Sequence, residues 1–237
     1  MLEAGFFMGY VVSLQVNPQS YAQFLTLQQQ LNAATKQKLA HELGQLLADV
    51  AVQIIQQVFV DLLTQQKQRV QRPEGHKIAE ESEKVVQHVL DALKKYLPWS
   101  VALLSNTRLV DIVNYFAKCI VLEQDQVFLR YPVTDTLVDQ VLTLVQKIQA
   151  GDASQISPAF HALTEIIDQG VTHLIRVPKE MLHFNFVVDK TLNGVIQMTT
   201  HMGYKRLQGL GKEVDLHVAP YYIDHFLKFL IRDGHTK

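Results

Sequence analysis

The sequence predicts an all-α protein, an irregular multi-helix bundle of about eight helices. Apolar residues recur at three- and four-residue spacing through most of the chain, which is the period of a helix with one buried face. Only seven prolines and eleven glycines occur in 237 residues, so few positions interrupt a helix. Hydrophobic residues make up 48% and charged residues 19%, a composition typical of a globular fold.

One long helix dominates the first part of the predicted bundle. A short helix begins at Asn17 and Pro18, and a long one follows at about 36–70, until the Arg-Pro-Glu-Gly sequence at 72–75. At about 1.5 Å per residue the long helix would measure roughly 50 Å. A compact domain of this length is about 45 Å across. The long helix is therefore expected to cross the whole domain or to project from it.

The middle of the chain combines helices with a short β segment. We expect a helix from Lys77 to Pro98, because acidic residues near its start and lysines near its end complement the helix dipole. Asn106 is expected to cap the next helix. Residues 119–132 then change to β-branched and aromatic residues on either side of a polar turn. This pattern predicts a small β-hairpin near 119–132.

Four more helices are predicted after the hairpin. Thr134 and Gly151 mark the first, and Ser157-Pro158 begins the second. The third runs from about 179 to 207 and is apolar over most of its circumference, and the last follows Pro220 and ends at Gly234. Without a repeat or a flexible linker, residues 1–237 are expected to form a single helical domain, with 1–16 flexible or peripheral.

Charge and targeting signals favour a soluble, cytoplasmic protein. The net charge of −1 makes nucleic acid an improbable partner, because no general positive field attracts a polyanion. The apolar N-terminus contains Glu3 and lacks the basic start of an export signal. Asp49 and Asp61 interrupt the longest apolar helix, so no membrane span is predicted. The single Cys119 suits a reducing compartment.

The segment Gly203–Lys212 contains three glycines and three cations, which raises the possibility of a phosphate loop. Such a loop follows a strand and precedes a helix, whereas here a long helix comes first. We therefore interpret Gly209 and Gly211 as a helix C-cap. The alternative is a local anion site, formed by Lys205, Arg206 and Lys212.

A heptad-like row on the long helix indicates the first function hypothesis. The row consists of Leu47, Val50, Ile54, Val58 and Asp61. Apolar rows with occasional polar members are typical of seams between helices of two chains, and a projecting helix needs a partner. We expect a non-catalytic protein that acts by protein–protein interaction, with itself as a homodimer or with another protein.

The helix at 179–207 indicates the alternative, a carrier or sensor of a small apolar ligand. A helical wheel started at Leu182 places Asp189 and Asn193 on an enclosed side, near apolar residues that could line a pocket between helices. The candidate ligand-binding residues are Asp189, Asn193, Phe186, Met198 and Met202.

Neither a metal site nor a cofactor is predicted. Glu180 and His183 have the spacing of half a di-iron carboxylate motif, but that motif has to occur twice. A weaker third hypothesis is an enzyme whose catalytic or metal-binding residues are dispersed along the chain. Because no catalytic motif is present, the sequence favours a protein that is not an enzyme.

Overall fold

The computed structural model describes residues 9–64 and 73–233. Within them the chain forms eight helices and a small four-stranded antiparallel sheet, which confirms the predicted mostly helical class. Two of the helices contain a π-helical turn and continue beyond it, at Gln56–Val60 and at Thr172–Arg176. The helices are α1 (Pro18–Asn32), α2 (Ala40–Ile55, continuing to Thr64), α3 (Pro73–Ala102), α4 (Asn106–Cys119), α5 (Asp135–Gln149), α6 (Ile156–Val171, continuing to Met181), α7 (Phe186–Glu213) and α8 (Ala219–Leu227).

The predicted hairpin at 119–132 is confirmed and belongs to a larger sheet. Its strands are β2 (Ile120–Glu123) and β3 (Gln126–Val133). Two strands were not predicted, β1 (Gly9–Val16) and β4 (Leu230–Asp233), and the sheet order is β2-β3-β1-β4. The prediction of a peripheral N-terminus therefore does not hold for 9–16, which lie between two neighbours. The final helix ends at Leu227, and Gly234, its predicted end, lies outside the described residues.

The long helix is confirmed from Ala40 to Thr64, and the rest of its predicted range, 65–70, lies outside the described residues. It begins at Ala40 and not near Lys36 because the chain before it is held by Asn106. The Asn106 side chain accepts a hydrogen bond from the Leu39 backbone N–H at 3.0 Å and donates to the Gln37 carbonyl at 2.6 Å. Asn106 thus fixes the approach to α2 from its place in α4.

The predicted C-cap at Gly209 and Gly211 is wrong, because α7 continues through both to Glu213. Gly211 instead allows close packing of two helices. A Cβ added there would lie 2.8 Å from the Phe160 Cβ in α6, closer than side chains tolerate. The start of α7 also differs from the predicted one at 179, since the left-handed backbone of His183, with φ of 44°, separates α6 from α7.

Helices α2, α3, α7 and α6 pack side by side in that order and surround the centre of the molecule. Gly44 near the start of α2 lies against Pro98 near the end of α3, and Arg206 of α7 bonds to Ser82 of α3. Tyr204 of α7 bonds to Asp168 of α6. The core face of the sheet and α8 complete the enclosure, with Val12, Leu14 and Tyr131 among the buried strand residues.

The π-helical turn of α2 is held from outside by His225 of α8. The buried imidazole donates from Nε2 to the Val58 carbonyl oxygen at 2.9 Å, and its Nδ1 lies 3.2 Å from the Lys228 ammonium. Both contacts suit the neutral Nε2–H tautomer. Burial lowers the pKa of His225, Lys228 lowers it further, and Asp61 acts in the opposite direction. The ring is therefore stabilised in its neutral form.

Candidate ligand-binding site

An apolar cavity of about 390 Å³ lies between α2, α3, α6, α7 and the sheet. Each wall supplies mainly aliphatic or aromatic side chains. The α3 wall, for example, includes Val85, Val89, Leu93 and Leu97 beside two serines, and the sheet contributes Leu14 and Leu129. Among the described residues, only two charged side chains line the cavity, those of Lys179 and Arg206. The space therefore suits an apolar molecule far better than a polar one.

The heptad-like row of α2 faces this cavity. Leu47, Val50, Ile54 and Val58 all line it, whereas Asp61 is exposed and does not. In this arrangement the apolar members of the row point inward. The predicted homodimer is not tested by a single chain and stays a prediction, but these four side chains are occupied in forming a wall.

The cavity also accounts for an unusual property of α2. Among the described residues, one helix, Ala40–Thr64, is long and apolar enough to cross a membrane, although 28% of its most apolar stretch is buried inside the protein. A single helix of this kind is weak evidence for a span, because core helices share its composition. The partial exposure of Leu47, Val50, Ile54 and Ile55 coincides with their position on the cavity wall. The prediction of no membrane span stays a prediction.

The α7 wall uses a different face from the one predicted for ligand binding. The side chains on the cavity are those of Leu192, Val195, Ile196, Thr199, Thr200, Tyr204, Arg206, Leu207 and Leu210, together with Gly203. Phe186 and Met198 are 79% and 55% exposed, and Met202, Asp189 and Asn193 also lie off the wall. The reason is local. The helical wheel assumed an unbroken helix through Leu182, but the turn at His183 resets the phase before α7 begins.

Asp189 and Asn193 nevertheless contact a residue of the cavity wall, Lys179. The Lys179 Nζ lies 2.6 Å from Asp189 Oδ1 and 2.8 Å from Asn193 Oδ1, and the Asn193 amide donates to Asp189 Oδ2 at 2.8 Å. The three side chains form a closed polar group across the α6–α7 corner. Only Lys179 lines the cavity, so the sequence analysis identified the partners but missed the residue that they position.

Arg206 lines the cavity further along α7 and is bound to protein partners. Its Nη1 and Nη2 lie 2.9 Å from the two carboxylate oxygens of Glu213, and its Nε donates to Ser82 Oγ at 2.8 Å. Lys205 and Lys212 are exposed and do not line the cavity. The structure therefore does not bring Lys205, Arg206 and Lys212 together on the cavity wall.

The remaining polar groups on the α7 wall are bound to protein partners. Tyr204 donates to Asp168 Oδ1 at 2.8 Å, and Arg176 lies 2.7 Å from the same oxygen. Hydrogen bonding from Arg176 holds the pKa of Asp168 below its usual value. Thr199 and Thr200 donate to carbonyls of their own helix, which leaves their methyl groups as wall surface.

In the described part of the chain, the His, Cys, Asp and Glu side chains do not gather into a metal site, and the one thiol is buried. No group of three or more His, Cys, Asp or Glu side chains in this part of the chain is arranged to hold a metal ion. Cys119 is buried, and burial raises its pKa to about 11, so the thiol stays protonated at neutral pH. Comparison with protein-family models, curated proteins and solved structures finds no match. Function therefore has to be inferred from the cavity itself.

Proposed function

We propose that this protein binds a small apolar ligand in the cavity between α2, α3, α6 and α7, as a carrier or sensor. The observation that supports this is the cavity of about 390 Å³ with apolar walls on every side. Ligand sites in proteins are commonly about 300–1,000 Å³ and mostly apolar, with a few polar groups that fix orientation. Lys179 and Arg206 are the charged groups of that kind on the described wall.

The cost of leaving such a space empty supports the same function. Native interiors are packed nearly as densely as organic crystals. Apolar side chains that border an unfilled space lack packing partners on that side and lose the corresponding dispersion contacts. A ligand that fills the space would restore the lost contacts.

The energy available to an apolar ligand is sufficient for specific binding. Each methylene group transferred from water to an apolar site contributes about 0.8 kcal/mol, so ten methylenes contribute about 8 kcal/mol. The cost of association, about 4 kcal/mol or more, reduces this. Walls already apolar and formed keep the cost of ordering the protein low. At a cost of about 4 kcal/mol, ten methylenes leave about 4 kcal/mol, a dissociation constant of about 1 mM, and fifteen leave about 8 kcal/mol, a dissociation constant of about 1 μM.

Native mass spectrometry and thermal denaturation test the proposal. We expect the purified protein to show mass beyond 27.0 kDa that organic extraction removes, or an empty protein that hexadecanol stabilises. A ligand at a hundred times its dissociation constant raises the free energy of unfolding by about 2.7 kcal/mol. Butanol, which is too short to contact both ends of the cavity, is the matched control. A bare 27.0 kDa chain that no long-chain probe stabilises would contradict ligand binding.

The same mass spectrum measures the oligomeric state. The homodimer expected from the sequence would appear at twice 27.0 kDa, with or without ligand. A dimer that uses the row of α2 should dissociate when Ile54 and Val58 become charged, whereas a dimer that uses another surface should persist. The native mass spectrum therefore reports ligand binding and dimerisation separately, ligand binding as a small added mass and dimerisation as a doubled mass.

A further inference from the structure

We propose that the ligand is a single-chain amphiphile with an anionic head group, that Lys179 binds the head group, and that the apolar tail runs along α7 towards Arg206. This inference rests on the proposed ligand-binding function and specifies its chemical class. It starts from the sign of the charges on the cavity wall. Among the described residues the wall carries two cations and no carboxylate.

Lys179 faces the cavity while its counter-ion faces solvent. The Lys179 side chain is 13% exposed and lines the cavity, whereas its partner Asp189 is 39% exposed and does not. Of this ion pair, Lys179 is thus the residue that a bound molecule would meet. An anionic head group is attracted there, and a cationic one is repelled, because charges interact more strongly where water is excluded.

Arg206 repeats this arrangement further along α7. Its side chain is 13% exposed and lines the cavity, and its partner Glu213 is 36% exposed and does not. Both cations on the described wall therefore belong to ion pairs whose carboxylates lie off the wall. An anion bound along this wall would contact the cations and none of the carboxylates of the described residues.

Lys179 is the better head-group site of the two because fewer protein atoms bind its charged group. Arg206 and Glu213 form a bidentate pair, the strongest common geometry for a carboxylate. Lys179 instead makes a single contact with its carboxylate partner, Asp189. An ammonium has three N–H donors, and the described residues use two of those of Lys179, for Asp189 and Asn193. The third can bind a carboxylate oxygen.

The stretch of α7 between Asn193 and Arg206 gives an approximate length for the ligand. Asn193, which contacts Lys179, precedes Arg206 by 13 positions on α7, or about 20 Å at 1.5 Å per residue. An extended carbon chain advances about 1.3 Å per bond, given carbon–carbon bonds of about 1.5 Å, so roughly 15 bonds cover this distance. Between these points the wall is lined by Val195, Ile196, Thr199 and Gly203. A fatty acid of about 16 carbons matches both the length and the polarity.

Palmitate and hexadecanol, which share a 16-carbon chain and differ in head group, test the inference by equilibrium dialysis. We expect the wild-type protein to bind palmitate at least tenfold more tightly than hexadecanol, a difference of about 1.4 kcal/mol. The Lys179→Met variant should lose that preference while its hexadecanol affinity stays within about twofold. Lys190→Met, which removes an exposed cation of α7 away from the wall, is the matched control and should bind both as the wild type does.

A second variant tests the same contact in case the Lys179→Met protein is unstable. Asp189→Asn keeps the ammonium and removes its competing carboxylate, so palmitate affinity should rise about threefold or more with no change for hexadecanol. Equal wild-type affinity for the two probes, or palmitate binding unaffected by both substitutions, would overturn the anionic head group while leaving the apolar cavity function standing. Failure of the wild type to bind either probe would overturn both.

Discussion

Substituting Gly203 by leucine should fill part of the cavity without disturbing the helix that carries it. Gly203 lies on the α7 wall, and a Cβ added there would meet no atom within 4 Å apart from its own helix. Gly194 provides a matched control, because it is in the same helix, has equally open space, is exposed and lies off the wall. The two substitutions therefore differ in where the new side chain goes.

The expected stability change can be estimated for each position. Replacing glycine by leucine inside a helix gains about 0.8 kcal/mol in helix propensity, and this applies equally to Gly194 and Gly203. At Gly203 the leucine side chain also becomes buried against apolar walls, which is worth about 1.5–3 kcal/mol less about 0.5–1 kcal/mol of side-chain entropy. The free energy of unfolding of Gly203→Leu should thus exceed that of Gly194→Leu by roughly 1–2 kcal/mol, or about 2–8 °C in Tm for a chain of this size.

Urea denaturation and dialysis with hexadecanol together measure the effect. Gly203→Leu should weaken hexadecanol binding by about tenfold or more because the side chain occupies ligand space, and Gly194→Leu should bind as the wild type does. If Gly203→Leu is instead less stable than Gly194→Leu by about 1 kcal/mol, the space is already filled by neighbouring side chains. That result, or undiminished binding, would refute the cavity as the ligand site.

Three further expectations concern the helices, the hairpin and pH. Gly211→Ala should destabilise by about 1–3 kcal/mol because its Cβ would press on α6, whereas Gly209→Ala, with no contact under 3.7 Å, should stabilise by about 0.5–1 kcal/mol in urea denaturation. The hairpin turn at Gln124 and Asp125 has φ of 50° and 64°, so the Asn-Gly pair Gln124→Asn with Asp125→Gly should raise Tm by about 2–4 °C per kcal/mol gained, and a lower Tm would contradict the type I′ turn. Burial lowers the pKa of His225, so the imidazole is neutral in the folded protein and binds a proton more readily in the unfolded chain. The contribution of His225 to the free energy of unfolding is therefore complete above its unfolded pKa near 6.5 and is lost as pH falls through the lowered folded pKa. Between pH 8 and pH 5 the free energy of unfolding of His225→Gln should fall less than that of the wild type. An identical fall in both proteins would show that His225 does not contribute to the pH dependence of stability.

The sequence located most helices because their signals are local. Apolar spacing and end residues are read within one or two turns, which suffices for α1, α5 and most of α2. The hairpin was equally readable, since β-branched and aromatic residues flank a short polar turn. Strands β1 and β4 gave no comparable signal. Residues 9–16 pair with residues 126–133 and 230–233, more than a hundred positions away, and no local pattern identifies such partners.

The candidate site likewise combines features that the sequence predicted and features that only the structure revealed. By itself the sequence determined that α2 has an apolar row and that Asp189 and Asn193 lie on one side of a helix. Only the tertiary structure decided that the row lines a cavity, and that Lys179 faces inward while Asp189 faces solvent. Helical periodicity reports which residues share a face, but not whether a neighbouring helix or an open space lies opposite. Because the His183 turn changes the phase between α6 and α7, the face that meets the ligand space depends on three-dimensional packing.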